Sequence, residues 1–374
     1  MKQPNMQGKK IAALTFFADF HGDVTDDIKN PRCLGSMASS RLQIVPSLVA
    51  LSKIGYEHVA YSFHHSRKEE FEKLDGSRAC FVGKLSADTP ERMKNMAVAN
   101  WEAINYLKDQ NTKIVLTYCD NHLHNAKANI IRLLYRELFK ISDYIVYPSA
   151  VLKSLSNEFL SPRTKTFIIK DPWQIREQSP YQPKQYDQPW KIIWFGSNKN
   201  LKYLTNLLPQ LINSSLLTDT YELTVLGGEY AIKEVSMLIS EILKEKNIFS
   251  KWKFRLVTWD MLDQPNQLEA ELKRAQISII PSDQNDPSKK GASHNRVVDS
   301  IRSGCLAIAS PLKSYQELSK VVILGDNFER LLYNSTKEYE RLTLKHNFYR
   351  KEFLSDFSPQ ANIKNWTNFW KYAL

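Results

Sequence analysis

Short continuous apolar runs recur along the chain, each followed by a stretch of helical length. Such runs read as strands buried on both faces, the signature of a parallel sheet. In the first half the predicted strands are 10–17, 58–63, 113–118, 144–147 and 166–169, with helical stretches such as 40–53 and 126–140 between them. In the second half they are 191–195, 222–226, 253–258, 277–281, 306–309 and 321–324. The helices there include 203–213, 233–246, 267–274 and 294–303. Strand and helix alternating throughout predicts doubly wound α/β units.

The two series are separated by residues 171–190, DPWQIREQSPYQPKQYDQPW, which carry four prolines and little apolar periodicity. This stretch reads as a linker. The predicted architecture is two Rossmann-like domains, 1–175 and 190–358, facing a central cleft. An aromatic C-terminal helix, 359–374 with Trp366, Phe369 and Trp370, is expected to pack back across the first domain. Ligands of open α/β sheets sit beyond the C-terminal ends of the strands, so chemistry is sought just after strands.

Composition narrows the class. The chain has 374 residues, 43% hydrophobic and 24% charged, which excludes disorder or a disulfide scaffold as its main architecture. The net charge of +11 is shared evenly, about +6 before residue 188 and +5 after it. An even spread argues against a nucleic-acid-binding arm. It suits phosphate-bearing ligands or an anionic surface. Cys33, Cys80, Cys119 and Cys305 lack metal or redox spacing and are expected to be free thiols in a reducing cytoplasm. Lys9, Lys10 and the apolar run 11–18 imitate a short signal peptide, but Asp19 ends the run and no cleavage site follows.

Four motifs follow strands. In WFGSNKN, Gly196 permits a tight turn, and Ser197, Asn198 and Lys199 offer donors to a phosphate; a plain strand-to-helix turn reads equally well. In the segment 279–311 a polar loop leads to a helix with Ser293 as expected N-cap and Gly304 just past its end. Val297, Val298 and Ile301 form its buried face. Asn295 and Arg296 lie at the N-terminus, where unpaired N–H groups attract anions, and Arg296 adds forked hydrogen bonding to a diphosphate. Asp299, one turn deeper, suits a pair of ribose hydroxyls; the alternative is an ion pair with Arg296. In TYCDNHLHN, Asp120 and His122 can move protons, and with His124 they form only a weak metal pattern. The fourth motif joins Asp19 and His21, at the exit of the first strand, to ASSRLQ. There Ser39 is an expected N-cap, and Ser40 and Arg41 face substrate.

With these motifs the chain resembles the GT-B glycosyltransferases of the group 1 kind. The resemblance spans nearly the whole chain and rests on ASSRLQ…LSKIGYE, VLTYCDNH, ISDYIVYPS, IIWFGS, LTVLGG and, most specifically, NRVVDSIRSGCLAIASP. It implies a nucleotide-sugar donor, UDP- or GDP-linked, on the C-terminal domain and a glycan, lipid-linked or other hydroxyl acceptor on the N-terminal one. It implies transfer without a required metal or further cofactor. Asp299 before Gly304 takes the place of the family's ribose-binding carboxylate. Thr258 and Trp259 take that of base contacts, and Asp120 and His122 that of polar groups near the anomeric carbon. Retaining members carry a second acidic residue eight positions earlier; here that position is Gly291, which leaves both stereochemical outcomes open. The expected role is in cell-surface polysaccharide or glycoconjugate synthesis, in the cytoplasm, with peripheral contact at the anionic inner face of a membrane. The competing readings are a GT-B-type sugar-nucleotide epimerase, a phosphorylase, a catalytically inactive sugar-nucleotide binder and a basic nucleic-acid-binding protein.

Overall fold

The computed structural model describes residues 10–14, 22–23, 38–63, 65, 68–85, 89–124, 129–245, 251–260, 264 and 266–374. Asp19, His21, Cys33 and the greater part of the loop between them and ASSRLQ lie outside the described residues. The chain divides into two compact units. Unit 1 comprises Met1–Pro172, Lys290–Ser293 and Ser358–Leu374; unit 2 comprises Trp173–Lys289 and His294–Phe357.

Unit 1 opens with β1 (Lys10–Leu14) and the short β2 (Gly22–Asp23). A π-helical turn, Ser40–Ile44, then runs into α1 (Val45–Lys53). There follow β3 (Glu57–Ser62), β4 (Ser77–Val82), α2 (Pro90–Asp109), β5 (Lys113–Thr117), α3 (Asn129–Ile141), β6 (Tyr144–Tyr147), α4 (Ala150–Ser156) and β7 (Lys165–Ile168). The sheet order is β2-β3-β1-β4-β5-β6-β7, parallel except for β2 against β3. The two faces of β1 show why its sequence is uniformly apolar. Ala12 and Leu14 enter one buried cluster, and Ile11 and Ala13 enter another on the opposite face.

Sequence reasoning passed over β4, which lies at the centre of this sheet between β1 and β5. Helix α2 starts where local chemistry dictates. The Thr89 side chain accepts the Arg92 N–H at 3.2 Å and Pro90 occupies the first turn. Ser39 corrects an expectation. Its backbone is already helical and its side chain makes no capping bond.

Unit 2 contains β8 (Trp190–Phe195), α5 (Asn198–Ile212), β9 (Tyr221–Gly227), α6 (Glu229–Glu245), β10 (Trp252–Thr258), α7 (Gln267–Arg274), β11 (Ile277–Ile280), α8 (Asn295–Arg302), β12 (Leu306–Ala309), β13 (Ile323–Leu324), α9 (Phe328–Lys337) and α10 (Tyr339–Ser355). Its sheet is wholly parallel, ordered β10-β9-β8-β11-β12-β13, the doubly wound order of a dinucleotide-binding fold.

The proline-rich stretch is a strap on unit 2. Ser179 N–H donates to the Arg302 carbonyl at 3.0 Å, and Gln276 donates to the Pro183 carbonyl at 3.0 Å. The Arg302 guanidinium stacks 3.8 Å from the Trp173 ring centroid and donates to the carbonyls of Ile175 and Arg176. Its prolines have no N–H to satisfy, so an irregular path can be packed.

The last helix, α11 (Pro359–Ala373), belongs to unit 1. Trp366, Phe369 and Trp370 join the cluster of Ile11, Leu48, Phe81 and Val115. The Trp370 indole donates to Ser47 Oγ at 2.9 Å. The return of the C-terminal helix to the first domain, expected from its aromatics, is observed.

Candidate functional site at two sheet edges

In unit 2 the strand order reverses between β8 and β11, so a crevice opens at their C-terminal ends. Past β8, Gly196 N–H bonds to the Leu226 carbonyl at 3.2 Å. Ser197, Asn198 and Lys199 are exposed at the start of the 15-residue α5, which has no acidic residue in its first turn. That turn offers N–H groups and a partial positive charge.

Past β11 the loop is tied to α5. Asp286 Oδ2 accepts from Lys202 and from the Tyr203 hydroxyl, both at 2.7 Å, and Oδ1 accepts from Ser288 N–H and Oγ. Burial opposes the charge of Asp286, but the bonds from Lys202, Ser288 and Tyr203 outweigh it and hold the carboxyl well below the usual range. Lys289 bonds to Asn200 Oδ1 at 2.6 Å, a second tie between the same loop and helix.

Helix α8 buries Val297, Val298 and Ile301 and ends before Gly304, whose φ is +82°. Its N-cap residue is His294, which makes no side-chain capping bond. Ser293, the expected cap, instead donates to Asp171 Oδ2 at 2.7 Å. At the N-terminus the Arg296 Nη1 and Asn295 Oδ1 atoms are buried with no hydrogen-bond partner. The buried Tyr315 phenol is pushed up by burial and drawn back by the Arg296 guanidinium beside it. Asp299 is 1% exposed, and Gln174 donates to both its oxygens, from the main chain at 2.8 Å and the side chain at 3.0 Å. Past β10, Thr258 is exposed, while Trp259 N–H reaches the Gly227 carbonyl at 2.8 Å. The Trp259 indole N–H is buried without a partner.

In unit 1 the order reverses between β1 and β4. Two residues past β4, Lys84 forms an ion pair with Asp120, which follows β5; the side chains are 17% and 43% exposed. Burial works against the Lys84 charge, but Asp120 outweighs it and the ammonium is held above its ordinary range. His122 Nε2 lies 4.0 Å from Asp120 Oδ2, and the imidazole stacks on Tyr135 with centroids 4.7 Å apart. His124 turns elsewhere, to Asn121 Oδ1 at 2.8 Å and Glu158 Oε1 at 3.2 Å. Among the described residues, no three His, Cys, Asp or Glu side chains are placed to share a metal ion.

Also in unit 1, the Ser40 Oγ is fully buried without a hydrogen-bond partner, and Arg41 is half-buried. Gln43 donates to Asp171 Oδ1 at 2.9 Å. Gly291 has φ +79°, and a Cβ there would lie 3.0 Å from the Leu152 Cα. A side chain at this position would have to displace Leu152 and hold a left-handed backbone.

No protein-family model matches the chain, and no curated protein sequence does. Solved structures do. Anabaena HepE in complex with UDP-glucose matches at TM-score 0.62 and 10% identity, over 97% of this chain and 99% of that one. Sucrose-phosphate synthase from Thermosynechococcus elongatus matches at 0.60 and 13%, over 97% and 98%. The lipopolysaccharide outer core galactosyltransferase WaaB, in its apo form, matches at 0.58 and 10%, over 98% and 100%. The chain has the GT-B fold.

Identities this low speak for the GT-B fold and not for a shared reaction. Within that fold the sequence-derived candidates fall in two groups. Gly196, Ser197, Asn198, Lys199, Asn295 and Arg296 flank the crevice of unit 2, Asp299 lies buried one turn into α8, and Thr258 and Trp259 stand at the end of β10, two strands from β8. Asp120 and His122 stand at the edge of unit 1, with Ser40 and Arg41 in the helix-forming segment before α1. Sequence reading missed Lys84, Gln174 and Asp286. Lys84 was legible in principle, because Gly76 and Gly83 bracket the apolar run of β4. Gln174 carries no local signal, since its partner lies 125 residues away.

Proposed function

We propose that the chain is a glycosyltransferase. It moves a sugar, of the hexosyl class, from a UDP- or GDP-linked donor on unit 2 to a glycan or lipid-linked hydroxyl acceptor on unit 1. The work belongs to surface polysaccharide or glycoconjugate synthesis at the cytoplasmic face of a membrane. The observation that carries this reading is the buried Arg296 Nη1 without a partner, at the N-terminus of the helix that follows the switch-point strand. A buried guanidinium nitrogen left unpaired is costly unless a ligand completes it. An anion at a helix N-terminus does so.

In the proposed reaction charge develops on the departing diphosphate. Arg296 and the N–H groups opening α5 and α8 meet that charge from fixed positions, which lowers the barrier. Protein cations thus take the part that a metal plays elsewhere. Where the anomeric centre inverts, Asp120 takes the acceptor proton, steadied by Lys84. HepE was crystallised with UDP-glucose, so UDP-glucose is the first donor to test.

Calorimetric titration with UDP, GDP and UDP-glucose is the test. Wild type is expected to bind at least one. Arg296→Ala should weaken that binding about 10- to 100-fold, the worth of a charged hydrogen bond. Nucleotide release should then depend on an added hydroxyl acceptor. Absence of binding to all three ligands by the wild-type protein sinks the proposal.

A further inference from the structure

The strap borders a cavity of its own on unit 2, open to solvent and about 150 Å³ in volume. It lies where β8 begins and α7 ends, at Lys191 and Arg274. The crevice described above lies past the other end of β8, roughly 15–20 Å away along a six-residue strand. The lining is rich in one side chain: Gln182, Gln185, Gln188 and Gln276 all border the cavity. Its walls are held still. The Tyr339 hydroxyl donates to the Gln182 carbonyl at 2.9 Å. Gln276 donates to the Pro183 carbonyl and accepts the Lys191 N–H, both at 3.0 Å. The Lys184 ammonium donates to the carbonyls of Gln185 and Gln188 and lies 5.3 Å from the Trp190 ring centroid. An irregular segment fixed at this many points is organised before any ligand arrives.

The groups left over define the ligand. The Gln276 amide is spent on the protein, but the side-chain amides of Gln182, Gln185 and Gln188 make no hydrogen bond among the described residues. Tyr186 stands in the turn closed by the Gln188 N–H bond to the Gln185 carbonyl, and it is 98% exposed. An amide is donor and acceptor at once, which matches a sugar hydroxyl, and a bare phenol ring offers a flat face to the C–H side of a pyranose. Charge does not select the ligand. Lys273 is held between Glu177 and Glu269 at 2.9 and 2.8 Å, Arg274 lies 3.9 Å from Glu271, and Glu222 stands in register beside Lys191. With carboxylates beside its cations, the cavity offers hydrogen bonds rather than a field that favours anions. Its volume falls below the roughly 300–1,000 Å³ of pockets that engulf drug-sized ligands, which suits one ring at a time.

We propose that the strap cavity is a second saccharide site, which takes one ring of a neutral oligosaccharide. Tyr186 lies against the ring, and Gln182, Gln185, Gln188 and Lys191 bond its hydroxyls. Binding there does not depend on the sugar-transfer reading; its use does. A chain held at the strap stays on the enzyme from one transfer to the next, at a raised effective concentration.

The test is amide hydrogen exchange over residues 182–191 of the full chain, with maltotetraose, cellotetraose or chitotetraose at about 10 mM. At least one of them is expected to slow exchange in this segment about threefold or more. Tyr186→Ala should lose the slowing and keep the wild-type urea midpoint, because the ring already faces solvent. Arg296→Ala should keep the slowing, and UDP should not produce it. The proposal falls if none of the three slows exchange in the wild-type segment, or if Tyr186→Ala is slowed like wild type. It also falls if tetragalacturonate, an anionic counterpart, acts more strongly than all three, since the cavity would then be an anion site. Donor titration proceeds without saccharide, so failure here leaves the transferase reading standing, and the reverse.

Discussion

Gln174 meets Asp299 twice, with its main-chain N–H at 2.8 Å and its side-chain amide at 3.0 Å, one bond to each carboxylate oxygen. This pairing fastens the strap to α8. It also means that both oxygens of the expected ribose-binding carboxylate are taken up by the protein itself. Asp299→Ala strands a buried N–H and removes a charged acceptor, so a stability loss of about 2 kcal/mol is expected in urea unfolding without any nucleotide. A loss below about 0.5 kcal/mol, the range of neutral surface changes, would show that the pairing anchors nothing.

Gly304 tests the same junction from the other side. At φ +82°, a Cβ built there would stand 2.1 Å from the Pro180 carbonyl oxygen, which is main chain and cannot turn away. Gly304→Ala therefore adds left-handed strain to a backbone collision, and about 4 kcal/mol of destabilisation is expected. The reading is the urea midpoint of the variant, and near-wild-type stability would contradict the packing described.

His346 predicts acid sensitivity. Burial, helped by Lys345, lowers its pKa from 6.5 to about 4. Above pH 6.5 the imidazole is neutral in folded and unfolded chains and its contribution is fully present. As pH falls towards 4 the unfolded chain takes up the proton first, so stability is lost. Between pH 7.5 and 4.5 the expected loss from this group is about 2–3 kcal/mol. Unfolding curves of His346→Leu should show a correspondingly flatter pH dependence; an unchanged slope would remove His346 as the cause.

Lys84 is expected to matter beyond its modest exposure. Lys84→Met leaves the Asp120 carboxylate without its ammonium, and the pair is intermediate between a surface and a buried one, so about 1–2 kcal/mol should be lost. Lys84→Arg should recover a large part of it. Transfer activity, once a donor and acceptor are in hand, should fall further in the methionine variant than stability alone explains, because the carboxylate is no longer steadied.

The sequence carried the fold well where it depended on periodicity. The whole second series of strands stands within two residues of its expected ends, because buried parallel strands are apolar on both faces and α8 has one clear apolar stripe. It carried less where partners are remote. Ser293 has the chemistry of an N-cap, yet Asp171, 122 residues away, takes its hydroxyl. Ser39 too has the chemistry of a cap, yet the chain is already helical from Ala38. The prolines of 171–190 signalled irregular backbone, and that is observed, but nothing local said that the segment would be fastened along its length. Gly291 shows the opposite case. Its missing side chain was visible at once, and the structure supplies the reason in the contact with Leu152.

Helix α11 has a consequence for how the chain is made. Residues up to 172 leave the ribosome with one face of their sheet covered by α1 alone, since Trp366, Phe369 and Trp370 follow nearly two hundred residues later. At roughly 5–20 residues per second, some 10–40 seconds separate the two. Unit 2, built apart from its strap end without such a debt to the terminus, can mature in that interval. The part of that face not covered by α1 is then the surface that a holding chaperone would shield, and a ribosome stalled shortly before residue 359 would display it.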